Sequence, residues 1–274
     1  MRKSIKFFTV FAVICVFLAT AFFAVKTGKL PFVEKITKPN TVRVTVPEGY
    51  SLTQIAKKLE ESGVCSAESF VAAANNTDLY SSYSLLADVK NTEKRIFVAE
   101  GYIFPDTYDF YIGEASEKAL SRFMNNTEKQ ITDEIKSRAD KLGYTVDEII
   151  TMASIIQKEA GISSEMGKVS SVIHNRLGDS YNRLGCDVTV NYLKKYISPY
   201  VENAVELYSE HYNTYKCFGL PAGPICNPGL SAIKAALYPE KTDYKFFCTD
   251  KEMNFYYAET YEGHLENCKK AGLK

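Results

Sequence analysis

The chain has no excess of charge of either sign, with 33 basic residues against 33 acidic ones over 274 residues. Without a net field to gather phosphates or anionic lipid, nucleic acid is not an expected partner. Metal-ligand spacing is missing as well: there is no C-x-x-C pair and no H-E-x-x-H, and His174, His211 and His264 stand far apart. The expectation is therefore no metal and no cofactor. The absence of a G-x-S-x-G elbow removes the usual sign of a serine nucleophile. There is no internal repeat and no low-complexity tract, and the 46% apolar content is that of a globular chain.

What is present begins at the N-terminus. Arg2, Lys3 and Lys6 precede an uncharged run from Phe7 to Val25, which as a helix would span roughly the ~30 Å hydrocarbon core. The run is long for the apolar part of a signal peptide and continues past "ATA" at 19–21, so a retained anchor is favoured over a cleaved leader. Either way the rest of the chain is exported. The expected organisation is a cytoplasmic tail at 1–6, a transmembrane anchor at 7–25 and a linker at 26–40. The chain would sit in the cell membrane as a single-pass protein, its remainder on the extracytoplasmic side. Six cysteines follow the apolar run; a disulfide among Cys186, Cys217 and Cys226 and buried free thiols are both open.

Beyond the linker, Val42, Val44 and Val46 alternate with polar residues as in a half-buried strand. Ser51 and Gln54 make a capping-box pattern, followed by the stripe Leu52, Ile55, Ala56 and Leu59. Ser66 can cap a second short helix. With a returning strand these form a small α+β module, and "VPEGYSLTQIAKKL" resembles a LysM-type peptidoglycan-binding module, set here at 41–76. The same pattern also describes generic strand-turn-helix units, so a spacer without glycan affinity stays open. Residues 95–274 read as a mixed α+β domain: loop and strand in "AEGYIFPDTYDFY", one long amphipathic helix stopped by Gly143, then a helix opened by the capping box of Thr145 and Glu148. A helix through "EMGKVSSVIHNRL", a Pro- and Gly-rich loop at 219–229, a short helix, two strands and a final helix complete it. The fold class is α+β.

On a wheel at about 100° per residue, the helix from Val146 to Ala160 turns Ile149, Ile150, Met152, Ala153, Ile155, Ile156 and Ala160 to one arc. Asp147, Thr151 and Lys158 fall opposite. Glu159 lies inside the apolar arc near the helix C-terminus, where desolvation and the helix dipole both favour its protonated form. That prepares a carboxylic acid to donate a proton near neutral pH. The plainer reading is a partly wet glutamate at a fraying end, or one paired with a structural arginine such as Arg176. Glu100, Asp106 and Asp187 are loop acids of the kind that serve as turns or caps. Asn213, Thr214 and Tyr215, adjacent in "HYNTYKCFGLP", have side chains that can bond sugar hydroxyls, or can simply form a turn.

Taken in order, "EGYIFPDTYDF", "ASIIQKEA", "KVSSVIHNRL", "CDVTVNY", "YNTY", "GLPAGPICNPG", "AIKAALYP" and "ETYEGH" resemble the MltG (YceG-like) endolytic murein transglycosylases. The resemblance covers about residues 1–270. It implies that Glu159 is the catalytic glutamate, and that Gln157 replaces a glutamate common in relatives, leaving Glu159 the only acid of its motif. Cys186 stands where relatives often carry a polar residue. The implied reaction cuts the β-1,4 bond between N-acetylmuramic acid and N-acetylglucosamine without water and leaves a 1,6-anhydro end. Because the substrate supplies its own nucleophile, an apolar setting without a carboxylate neighbour is expected around Glu159, with Asp187, Asn213 and Tyr215 as substrate contacts. Implied partners are peptidoglycan glycan strands and cell-wall synthesis proteins. A hydrolytic muramidase using Asp106 or Asp187 and a non-catalytic cell-wall scaffold remain as rivals.

Overall fold

Thr41–Thr45 (β1) pairs antiparallel with Thr107–Tyr111 (β2), setting Val44 opposite Tyr108 and Val42 opposite Phe110. These are the inward positions of both strands; the outward ones carry the Arg43–Asp109 ion pair at 2.9 Å and paired threonine hydroxyls. The computed structural model describes residues 40–179 and 182–273. The tail, the anchor and nearly all of the linker lie outside the described residues. Among the described residues no helix is long and apolar enough to cross a membrane.

Between the two strands run Leu52–Glu61 (α1), Ala67–Ala74 (α2) and the short Leu79–Ser82 (α3). The Ser51 capping box forms at α1, and Ser66 caps α2 by accepting from the Ser69 amide. Phe70 of α2 meets Phe123 edge-on at 5.9 Å, and Phe123 also packs against Tyr108 and Phe110. That aromatic cluster glues the sheet to the next helix. The strand that returns to β1 thus lies at 107–111, beyond the 41–76 boundary drawn from the sequence.

The long helix expected up to Gly143 is two helices, Ser116–Gln130 (α4) and Asp133–Leu142 (α5). Ile131 leaves helical geometry, and the Thr132 side chain accepts from the Ile135 amide, with Asp133 and Glu134 in the new first turn. A residue that can cap, followed by two acids, restarts a helix more favourably than it continues one.

Val146–Ala160 (α6) has the predicted bounds and the predicted capping box. It is not one-faced. Thr151 is buried, and Asp147 is ion-paired with the buried Arg95 and accepts from the Tyr102 hydroxyl at 2.6 Å. On another side Ser154 accepts from the Ile225 amide at 3.0 Å, and the Gln157 oxygen accepts from the Gly229 amide at 2.9 Å, binding the 219–229 loop along the helix. Met166–Leu177 (α7) and Leu230–Leu237 (α10) pack on α6, and one hydrophobic core runs from Val44 to Leu237. The helix is surrounded, so a two-sided wheel described only part of its environment.

Asp187–Asn191 (α8) continues as a wider π-type turn through Tyr192–Ile197, and Ala204–Tyr212 (α9) follows. Phe246–Thr249 (β3) and Phe255–Ala258 (β4) form an antiparallel hairpin, against which Tyr261–Lys270 (α11) lies. All six described cysteines are free thiols. No disulfide joins Cys186, Cys217 or Cys226.

Candidate active site

Glu159 sits in the last turn of α6, half-buried, where its carboxyl faces the start of α8. Loss of water pushes this carboxyl up, and the nearby Asp187 carboxylate adds to the push. The Cys186 thiol, the Arg176 guanidinium and the Val188 amide pull part of the way back, leaving the group at about 7. Lys158 does not neutralise it: its ammonium reaches the Gly49 carbonyl at 3.3 Å and the Tyr196 ring. The direction is the one expected from the helix wheel. The setting is not, because Asp187 is a carboxylate neighbour where none was expected.

Asp187, the first residue of α8, is exposed and accepts from the Tyr215 hydroxyl at 2.9 Å. Burial and that bond push the Tyr215 phenol up to about 12, so it stays a donor at any working pH. The Cys186 amide donates to the Thr214 hydroxyl at 2.8 Å and the Gly185 amide to the Thr214 carbonyl, fastening the 184–188 segment to the "YNTY" turn. Gly185 has φ +56, a left-handed backbone conformation that a side chain would strain. Asn213 is used differently: its side-chain oxygen accepts from the Tyr215 amide at 3.0 Å and shapes the turn that presents Tyr215. Glu159, Asp187 and Tyr215 therefore converge, while Asn213 supports them through the backbone.

Two residues named in the sequence reading without a place in the site stand beside Glu159. Arg176, considered only as a salt-bridge partner, donates to the Lys245 carbonyl at 2.6 Å and to the Leu184 carbonyl, and lies over the Phe246 ring, so it ties α7 to β3 beside Glu159. Cys186 contributes its thiol. Its place directly before Asp187 was the available signal. Asp106 takes no such part, since its carboxylate accepts from the Thr107 amide and the Asn126 side chain at the start of β2. Two clefts of about 640 and 680 Å³ open at the other end of α6 near Asp147 and are not lined by Glu159. Glu159 lies instead at a partly open surface.

Glu100 is the other perturbed acid. It is wholly buried and accepts from the Leu52 amide at the start of α1, the Tyr192 hydroxyl and the Asn227 side chain, each at about 3 Å, and desolvation still drives it up to about 8. The cap role inferred for a loop acid is present. Glu100 also joins α1, the π-type turn and the 219–229 loop.

The profile of the YceG-like family matches residues 22–270. The chain belongs to the YceG-like family. Among related members, a Bacillus subtilis (strain 168) protein named endolytic murein transglycosylase is 31% identical over 242 residues, covering 85% of this chain and 66% of that protein. A Streptococcus pneumoniae serotype 2 (strain D39) protein of the same name is 27% identical over 248 residues, covering 84% and 44%. This chain thus spans about two thirds of the first relative's length and under half of the second's. A crystal structure of a protein described as yceG-like, lmo1499 of Listeria monocytogenes, aligns with a TM-score of 0.72 at 31% identity, over 82% of this chain and 75% of that one.

Proposed function

We propose that this chain is a peptidoglycan lytic transglycosylase in which Glu159 acts first as acid and then as base. The observation that carries the reading is the Glu159 carboxyl, held at about 7 by desolvation at a half-open position. A group with that value is substantially protonated at neutral pH and, once ionised, is a competent base. Its proton goes to the glycosidic oxygen between N-acetylmuramic acid and N-acetylglucosamine as the muramoyl C1–O bond breaks. The resulting carboxylate takes the proton of the muramoyl C6 hydroxyl as that oxygen closes on C1. No water is consumed, and the strand ends in a 1,6-anhydro sugar.

Asp187 has two roles in this scheme. Its negative charge keeps the Glu159 proton in place and stabilises the oxocarbenium-like charge that develops at C1. The Tyr215 hydroxyl orients Asp187, and the exposed Tyr215 ring offers a face to a sugar. The "MRKSIK" segment and the uncharged run at 7–25 support a membrane anchor that holds the site near strands being made at the membrane, where cuts are endolytic and cell-wall synthesis proteins are the natural neighbours. The strand-helix-helix order closed by β2 supports a LysM-like glycan contact.

One observation favours a second reading. Asp187 near Glu159 supplies the second carboxylate that a hydrolytic muramidase uses as nucleophile or water-activating base. Digestion of intact glycan strands followed by mass spectrometry separates the two. Anhydro ends are expected; reducing ends would reject transglycosylation in favour of hydrolysis, and unchanged strands would leave a binding scaffold.

A further inference from the structure

Cys248 lies on β3, while His264 and Cys268 stand one helical turn apart on α11. Spacing along the chain hid this group, because the third donor comes from a strand some way upstream. In the fold the two sulfurs and an imidazole nitrogen all lie within 4.8 Å of one another. Cys268 Sγ is 3.6 Å from His264 Nε2. A tetrahedral zinc ion with Zn–S about 2.3 Å and Zn–N about 2.0–2.1 Å sets sulfur and nitrogen ligands about 3.6 Å apart. One edge of the tetrahedron is already formed, and the rest is within reach of small side-chain adjustments.

The surroundings are consistent with this. Neither cysteine is in a disulfide. Cys248 is buried, whereas His264 and Cys268 are half-exposed, which gives an ion a route in and leaves its fourth position to water. The His264 ring is stacked on Phe246 at 5.4 Å, which restricts its orientation. Most telling is that α11 has no buried residue of its own. Apolar packing holds it weakly to the hairpin, the situation in which small units rely on a cross-link.

We propose that Cys248, His264 and Cys268 form a binding site for a thiophilic divalent cation, with Zn²⁺ the ion whose geometry the donors match. Each thiol enters as thiolate, so binding releases two protons, and the imidazole enters neutral. The ion clips α11 to β3. That strand carries Phe246 under Arg176, and the hairpin tip packs Met253 against Gly161, two residues from Glu159. The site nonetheless stands independently of the reaction proposed above.

The test uses the full chain, reduced with a phosphine that does not chelate metal, and titrated with Co²⁺ and then Zn²⁺. One Co²⁺ per chain with the intense thiolate charge-transfer absorption of a tetrahedral site is expected, with displacement by Zn²⁺ and a higher melting temperature. Cys248→Ser, His264→Ala and Cys268→Ser should each weaken binding by more than the ~10–100-fold that loss of an outer-shell partner costs. Cys65→Ser should leave it unchanged, and circular dichroism checks that each variant is folded. A reduced chain that shows no tetrahedral cobalt spectrum overturns the site, as does a spectrum that survives all three substitutions. A Cys248–Cys268 disulfide in air-exposed protein, together with a reduced chain indifferent to Co²⁺, would make the pair a redox bridge instead.

Discussion

Glu100 and Glu159 are both driven toward the protonated form by loss of water, and their surroundings put that to different uses. Glu100 is sealed in the core with donors from three segments, so no molecule arriving from outside can reach its proton. Glu159 retains an open side, fewer donors and a like charge nearby, so its proton can pass to a molecule arriving from outside. Desolvation raises a carboxyl in either place. Exposure decides whether the raised value is chemically useful, and a perturbed acid is a site candidate only when both hold.

The sharpest way to break this comparison is Glu159→Gln, which keeps the shape and removes the proton. Strand cleavage, measured by muropeptide release, should fall by about 10²–10⁴-fold, while the melting temperature at neutral pH holds or rises because the desolvated carboxyl no longer has to ionise. Retained cleavage would remove Glu159 from the chemistry. The matching change in the core, Glu100→Ala, strands the Leu52 amide and its companion donors and should cost about 2–4 kcal/mol in urea unfolding.

The pH response separates the two acids further. Unfolded, each titrates near the ordinary 4.5; folded, Glu100 holds its proton to about 8 and Glu159 to about 7. Between those limits the folded state binds protons that the unfolded state has lost, so stability falls as pH rises through the window. Glu100→Gln cannot ionise and should roughly halve that slope between about 4.5 and 7 and abolish it between about 7 and 8; an unaltered slope would show that Glu100 does not titrate there. In activity, kcat/KM should decline as pH rises through about 7, as the Glu159 proton is lost.

Asp187→Asn sharpens the comparison by removing the like charge. The alkaline limb should move to lower pH, and cleavage should drop by about tenfold through weaker charge stabilisation. A loss as deep as that of Glu159→Gln, with reducing ends in the residual product, would mark Asp187 as a hydrolytic partner. Tyr215→Phe is the mildest change. Loss of its hydrogen bond to Asp187 should lower kcat/KM by about fivefold, the equivalent of ~1 kcal/mol.

Much of the local structure was legible in the sequence. The bounds of α6, its capping box, α7 and the final hairpin all follow from side chains within a few residues of one another. The break at Ile131 was readable in principle, since Thr132, Asp133 and Glu134 are a helix start, but a continuing apolar stripe outweighed it. The outward assignment of Thr151 failed for another reason: a wheel has two sides, and α6 is enclosed by Arg95, the 219–229 loop and neighbouring helices. Of the candidate site, the residue pattern alone singled out Glu159, and the family resemblance added Asp187, Asn213 and Tyr215 as substrate contacts. The carboxylate neighbour of Glu159, Asp187, lies 28 residues downstream, and the fastening of Cys186 and Gly185 to Thr214 is what brings the two together.

By itself the sequence determined where helices begin and end, that a glutamate sits on the inward side of one of them, and which family motifs surround it, because caps, periodicity and motif order are local properties of the chain. Tertiary structure decided which charges face that glutamate, that Glu100 is a sealed hub, and that Cys248 meets His264 and Cys268. Those outcomes depend on segments distant in sequence sharing one low-dielectric space, where interaction strength is set by separation and lost water and no longer by spacing along the chain.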